Sequence, residues 1–291
     1  MRLDQALAKL TPEYSRSRVQ TWIMENRVSL DGKACRAKQK VWGGESVEID
    51  ARPDPSETPH LPQEIDLHVI FEDDFLIVID KPAGLVVHPG SGNRQGTLLN
   101  ALLHHAPSLS AIPRAGIVHR LDKETSGLLV VAKTLAVQTS LVRQLQDRRV
   151  KRQYVALVHG TIDKDGTVDA PVGRHPTHRT KMAVSDKGKS ARTHYRVLKT
   201  FSACTLLECS LESGRTHQIR VHMQHIGHPL VGDPVYGKKP PPSANAAILS
   251  SFKRQALHAK RLAFVHPESG DLLEFESDLP EDIEGLLEKL K

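Results

Sequence analysis

Cysteine is scarce in this chain. Its 291 residues hold three, Cys35, Cys204 and Cys209, with no CxxC pair among them. That excludes a disulfide ladder and predicts reduced thiols in a cytosolic protein. Cys204 and Cys209 stand an odd number of positions apart on an expected strand, so they point to opposite faces and read as packing residues. Long apolar runs are missing as well. Stretches such as 76–79 fall far short of a membrane span, and the amphipathic start MRLDQALAKL is not a signal peptide, so a cytoplasmic protein with no membrane partner is expected. Aromatic residues make up 4% and hydrophobic residues 39%, yet apolar stretches alternate with turn residues throughout, which excludes disorder of the whole chain. No Gly-rich loop joins a strand to a helix, which argues against a doubly wound parallel fold, and no internal repeat is visible.

Charge is abundant and uneven. The formal net charge is +6, and residues 1–40 carry nine basic side chains against four acidic ones. Residues 174–199 carry eight basic groups against Asp186 alone. Two separated basic regions suit a long folded phosphate backbone better than one small anion, so nucleic acid is the expected partner.

Leu3, Ala6, Leu7 and Leu10 repeat at helical spacing, as do Val19, Trp22 and Ile23 after a capping Ser15 or Ser17. Val28 and Leu30, a turn at Asp31-Gly32 and a run ending in Val47 and Ile49 read as small strands beside the helix pair. Residues 51–62 (ARPDPSETPHLP) favour an extended linker. The expected division is therefore a small α/β domain over 1–50, a Pro-rich linker over 51–62 and a large domain over 63–291. In the large domain, strand-like runs at 67–71, 76–79, 127–132, 153–158 and 205–211 alternate irregularly with helices at 98–105, after Thr97, and around Val137, Leu141 and Leu145. The fold class expected is α+β, with a large mixed, mainly antiparallel sheet. Residues 238–247 (KKPPPSANAA) read as an exposed loop.

The most informative stretch is 116–133, GIVHRLDKETSGLLVVAK, where an apolar strand runs into a charged loop and then into a second apolar strand. Rigid scaffolds present catalytic groups in such loops. On its own Asp122 reads equally as a turn aspartate or half of a structural ion pair. The string HRLDKETSGL around it resembles the signature of the RluA-type family of RNA pseudouridine synthases, in which the aspartate is the essential catalytic residue. Lys151-Arg152-Gln153-Tyr154 resembles the second motif of that family, and GRTHQIRVH at 214–222 the third, with further similarity through HPLVGDPVYG at 228–237. The resemblance spans about 65–275. It implies that Asp122, Tyr154 and Arg220 are catalytic, with Tyr154 against the target base and Arg220 paired with Asp122. It also implies substrate contacts from His119, Arg120 and Ile219, with Arg120 entering the space that the flipped base vacates.

The front segment, with Arg2-Leu3-Asp4 and Ser15-Arg16-Ser17-Arg18, resembles an S4 RNA-binding domain, whose arginines Arg2, Arg16 and Arg18 would grip phosphates. The pairing of the two domains is most similar to the branch that modifies a stem-loop of 23S ribosomal RNA. The resemblance thus implies conversion of uridine to pseudouridine in 23S rRNA or the assembling large ribosomal subunit, and a monomer is expected. A flipped nucleotide is required to expose the glycosidic bond. Asp122 can attack C1′, attack C6 of the ring, or remove the ribose 2′ proton, and the sequence leaves all three open. No cofactor is expected, because an isomerisation has no net redox or group transfer.

His222, His225 and His228 invite a metal reading. They lack carboxylate or thiolate company, and Gly227 and Pro229 break their spacing, so no metal site is expected. Two other functions remain open at this point: a catalytically silent ribosome-assembly factor and a synthase acting on transfer RNA. A metal-dependent nuclease would need more carboxylates than Asp122 and Glu124.

Overall fold

Amphipathic spacing at the start of the chain produces the expected pair of helices, α1 (Leu3–Leu10) and α2 (Arg16–Met24). They close with the strands β1 (Val28–Leu30), β2 (Lys33–Ala34) and β3 (Val47–Ile49), in the order β2-β1-β3, over a core of Leu3, Leu7, Val19, Trp22, Ile23 and Val28. In the computed structural model the described residues are 1–291 except 12–15, 51–59, 91–92, 179, 239–243 and 291, together with the side chains of 17 and 18. Ser15, one proposed cap, lies outside them. Ser17, the other, falls within the first turn of α2 rather than at its cap. The chain divides into two compact units, Met1–Pro59 and His60–Lys291; most of the 51–62 stretch read as a linker lies outside the described residues.

The second unit is built on nine strands: β4 (His68–Glu72), β5 (Leu76–Lys81), β6 (Ser126–Ala132), β7 (Lys151–His159), β8 (Gly166–Asp169), β11 (Arg192–Thr200), β12 (Cys204–Leu211), β13 (Leu257–Val265) and β14 (Leu272–Glu276). A separate pair, β9 (Val172–Arg174) with β10 (Met182–Val184), completes the strand numbering. The large sheet runs β4-β5-β6-β13-β7-β12-β11-β8, with β14 also on β13. Among the described residues its only parallel pairing is β6 with β13. The sheet is thus mixed and mainly antiparallel, and the fold is the expected α+β class.

Successive residues of the central strands alternate between two cores, which is why they read as continuous apolar runs. Leu129 and Val131 of β6 enter one cluster, and Leu128 and Val130 the other. Cys204 and Cys209 likewise enter different clusters on β12. Burial raises their thiols to about 11 and about 12, so both are inert packing groups. The helices are α3 (Leu98–His105), α4 (Leu135–Gln146), α5 (Gln218–His225), α6 (Ala246–Ser251) and α7 (Glu281–Lys289). Asn100 Oδ1 accepts from the Thr97 N–H (3.1 Å) and hydroxyl (2.6 Å), fixing the start of α3. One expectation needs correction: Ala246 and Ala247 are not loop but the first turn of α6, which buries Leu249.

Candidate active site

Asp122 lies in the loop between a 3-10 turn at Pro113–Gly116 and β6. The apolar strand expected before it reduces to a single bridge, Ile117 opposite Val131. Arg114 and Ala115 take left-handed conformations there (φ 56° and 49°), a bend that periodicity does not reveal. The loop is held from three directions, twice through its backbone carbonyls and once through the Thr125 hydroxyl. Lys81 Nζ, fully buried, donates to the carbonyls of Lys123 (3.1 Å), Pro82 (2.7 Å) and Leu85 (3.0 Å). Arg254 Nη1 donates to Glu124 O at 3.1 Å while Nε and Nη2 grip Asp282 at 2.6 and 2.7 Å. Gln255 Nε2 donates to Thr125 Oγ1 at 3.2 Å. Burial pushes the Lys81 ammonium down to about 8.

The Asp122 carboxylate faces α5, where Arg220 Nη1 donates to its Oδ2 at 2.8 Å. The other edge of the same buried guanidinium is clamped by Asp233, with Nε to Oδ2 at 2.7 Å and Nη2 to Oδ1 at 2.9 Å. Asp233 is in turn set by the N–H groups of Val235 and Tyr236 at 2.8 and 3.0 Å. Burial works to raise the Asp233 carboxyl, but Arg220 prevails and holds it below its usual range. Arg220 is therefore immobilised on one side and offers the remaining N–H to Asp122.

His217 caps α5 in a left-handed conformation (φ 56°) and places Nε2 3.7 Å from Asp122 Oδ1. Its Nδ1 lies 2.8 Å from the Tyr236 hydroxyl, which accepts the Met182 N–H at 2.8 Å. With that hydroxyl hydrogen turned to Nδ1, hydrogen-bond logic assigns the His217 proton to Nε2, on the Asp122 side. Burial lowers the imidazole below its ordinary value despite the Asp122 charge, so the ring is neutral near pH 7.

Asp122, His217 and Arg220 line a cleft of about 570 Å³ that also takes in Tyr154, His119, Arg120 and Ile219. Tyr154 and Ile219 are buried. Burial raises the Tyr154 phenol above 10, so it keeps its proton at neutral pH. His119 Nε2 accepts the Val130 N–H at 3.2 Å, which leaves the hydrogen on a buried Nδ1 without a partner among the described residues. Burial, then the charge of Arg152, pushes His119 down to about 3. Arg120 is exposed and makes no hydrogen bond or ion pair among the described residues. The structure thus gathers six of the singled-out residues, Asp122, Tyr154, Arg220, His119, Arg120 and Ile219, on one cleft.

In the first unit, Arg2 and Arg16 both point at Asp4, at 3.0 and 2.8 Å, and the Arg16 contact ties α1 to α2. Burial raises the Asp4 carboxyl, but hydrogen bonds from Gln20, Arg16 and Arg2 outweigh it and hold it at about 2. The side chain of Arg18 lies outside the described residues. Of the histidines weighed for metal, His222 meets Thr193 Oγ1 (2.8 Å) and Ala170 O (2.9 Å), and His228 meets His159 O (2.9 Å). No group of three or more potential ligands forms a metal site among the described residues. Sequence reasoning missed Lys81, Arg152, His217, Asp233, Tyr236 and Arg254 as parts of the site. His217, Asp233 and Tyr236 stood inside the quoted motifs without a role, and Lys81 and Arg254 carried no local signal.

The family described as RNA pseudouridylate synthase matches residues 75–225, and the S4 domain matches residues 1–47. The chain belongs to the RNA pseudouridylate synthase family. The synthase is 61% identical to a ribosomal large subunit pseudouridine synthase D from Nitrosomonas europaea, over all of this chain and 85% of the relative. It is 53% identical to the protein of the same name from Escherichia coli K12, over all of this chain and 90% of the relative. A solved human structure, RNA pseudouridylate synthase domain containing 4, superposes with a TM-score of 0.61 at 26% identity, covering 77% of this chain and 92% of that one. The synthase is therefore an isomerase acting on RNA, and the catalytically silent alternative is set aside. Among the described residues, no helix is long and apolar enough to cross a membrane.

Proposed function

We propose that this synthase converts uridine to pseudouridine in large-subunit ribosomal RNA, with Asp122 as its catalytic carboxylate. The observation that carries the reading is the Asp122–Arg220 contact of 2.8 Å in a cleft also lined by Tyr154. A uridine flipped into that cleft brings its glycosidic bond to Asp122, Tyr154 packs against the base, and Ile219 closes the apolar wall. Arg220 offsets the carboxylate charge in a site that excludes water. His119 offers its unpartnered Nδ1–H to the base or ribose, and the unpartnered Arg120 fills the gap left in the RNA stack. The two relatives reported above, both named for the large ribosomal subunit, support ribosomal over transfer RNA. In this reading residues 1–50 form an RNA-gripping domain through Arg2, Arg16 and Arg18, and residues 63–291 form the catalytic domain. Arg2 and Arg16 keep 37% and 43% of their side chains exposed beside Asp4, enough to reach phosphate as well. The enzyme would work as a cytoplasmic monomer during ribosome biogenesis, without metal or cofactor.

The test is incubation of wild-type and Asp122→Asn protein with unmodified 23S rRNA and bulk transfer RNA, without added metal, followed by chemical mapping of pseudouridine. Product in 23S rRNA from the wild type alone is expected. Product in transfer RNA alone would overturn the substrate, and product from Asp122→Asn would overturn Asp122 as the catalytic carboxylate.

A further inference from the structure

Arg152 is a buried cation with no counter-charge. It lies on β7 with 8% of its surface exposed, and no hydrogen bond or ion pair reaches its side chain among the described residues. Its Nε is fully buried without a partner. Its Nη1 and Nη2, also without a partner among the described residues, open to the cleft, so the guanidinium has one N–H unsatisfied inside the fold and its fork free to meet a ligand. The carboxylates that line the same cleft are already engaged. Glu212 takes Arg148, Arg192 and His194, and Asp122 takes Arg220.

Position points the side chain at the reacting centre. Two residues before Tyr154, Arg152 shares its face of the strand and lines the same cleft. Room for the fork comes from Gly214, where a Cβ would stand 2.5 Å from Arg152 Nη1.

We propose that Arg152 binds a phosphodiester of the RNA, one of the two flanking the flipped uridine, by donating its N–H fork to the non-bridging oxygens. This rests on the functional reading above. A uracil carbonyl is neutral and would leave the charge uncompensated. Phosphate matches both the charge and the planar donor geometry, and a flipped nucleotide carries its two phosphates toward the cleft.

The test uses synthetic stem-loops of large-subunit rRNA, taking the one that wild-type protein binds most tightly. Each phosphate in turn is replaced by an uncharged methylphosphonate, and affinity is measured for wild type, Arg152→Gln and Arg152→Lys. One neutralised phosphate is expected to weaken wild-type binding by roughly 10- to 100-fold while leaving Arg152→Gln nearly unaffected. Arg152→Gln should also show a shallower dependence of log affinity on log salt, by about one. Arg152→Lys, which keeps the charge, should retain part of the sensitivity at the same phosphate, and it carries the comparison if Arg152→Gln does not fold. Equal sensitivity of wild type and variants at every phosphate would overturn the proposal. Turnover is read separately, so a wild type that binds but makes no pseudouridine sinks the functional reading, while the phosphate comparison still decides Arg152.

Discussion

Arg220 answers to two carboxylates at once, and this separates two kinds of damage. Asp122→Asn keeps the shape of the loop and leaves Arg220 clamped on Asp233. Turnover should fall by about 10³-fold or more, with a melting temperature near that of wild type, checked by pseudouridine mapping and calorimetry. Arg220→Ala behaves differently. From sequence, a loss of activity without unfolding is the natural expectation. In the structure the substitution strands Asp233, whose side chain is fully buried, so about 3–5 kcal/mol of stability should go with the activity. Urea unfolding of Arg220→Ala beside Asp122→Asn checks this, and equal midpoints would show that Asp233 finds other partners.

The catalytic loop is a polar turn forced into an apolar sheet where, alone among the described strand pairs, two strands run parallel. Gly127, the second residue of β6, stands at φ 111°, and a Cβ there would meet the Ala259 carbonyl oxygen of β13 at 2.3 Å. Gly127→Ala must therefore distort the parallel pairing five residues after Asp122. An expected destabilisation of about 1–3 kcal/mol, with a clear fall in kcat, is testable by unfolding and single-turnover kinetics. Lys81 anchors the same loop from β5. Lys81→Met removes the donor for three carbonyls, so amide hydrogen exchange should quicken around 82–85 and 123–126, while β7 and β12 stay protected.

Across the whole molecule, burial of bases sets how stability follows pH. His119 and His88 are held at about 3 and about 4 against an ordinary 6.5, burial being the main cause in each. As pH falls below 6.5 the unfolded chain takes up protons on these rings that the folded chain refuses, so stability drops between about 6.5 and 3. Lys81, at about 8 in the fold against 10.5 unfolded, has the same sign in a higher window, where stability gains as pH rises from 8 toward 10.5. Unfolding midpoints should rise with pH across the acid window and from 8 to about 9; above 9 the unfolded thiols of Cys204 and Cys209 lose protons that the folded ones, at about 11 and about 12, keep, which opposes the Lys81 gain. His119→Asn is expected to flatten the acid slope and Lys81→Met to abolish the gain between 8 and 9 and steepen the fall above it, and an unchanged acid slope in His119→Asn would show that its ring is not held neutral.

Strands such as 127–132 and 153–158, the helices at 98–105 and around Leu141, and the opposed cysteines of β12 were legible because their evidence is local: spacing, capping and apolar runs survive in any short window. The motif strings named the family for a similar reason, since contiguous residues carry them. Less was legible where the evidence is distant or weak. β8 to β11 and β14 are short or partly polar, and they become strands only through partners far along the chain. The strand expected before Asp122 gave way to two left-handed residues that no periodicity encodes. Arg220 meets Asp122 across 98 positions, and the clamp of Asp233 on its far edge follows only from the way α5 and the segment after it pack together. The buried charges of Lys81 and Arg152 are the extreme case: composition counts them as surface cations, and only the fold, by surrounding them, turns one into a loop anchor and the other into an unpaired cation lining the cleft that holds Asp122.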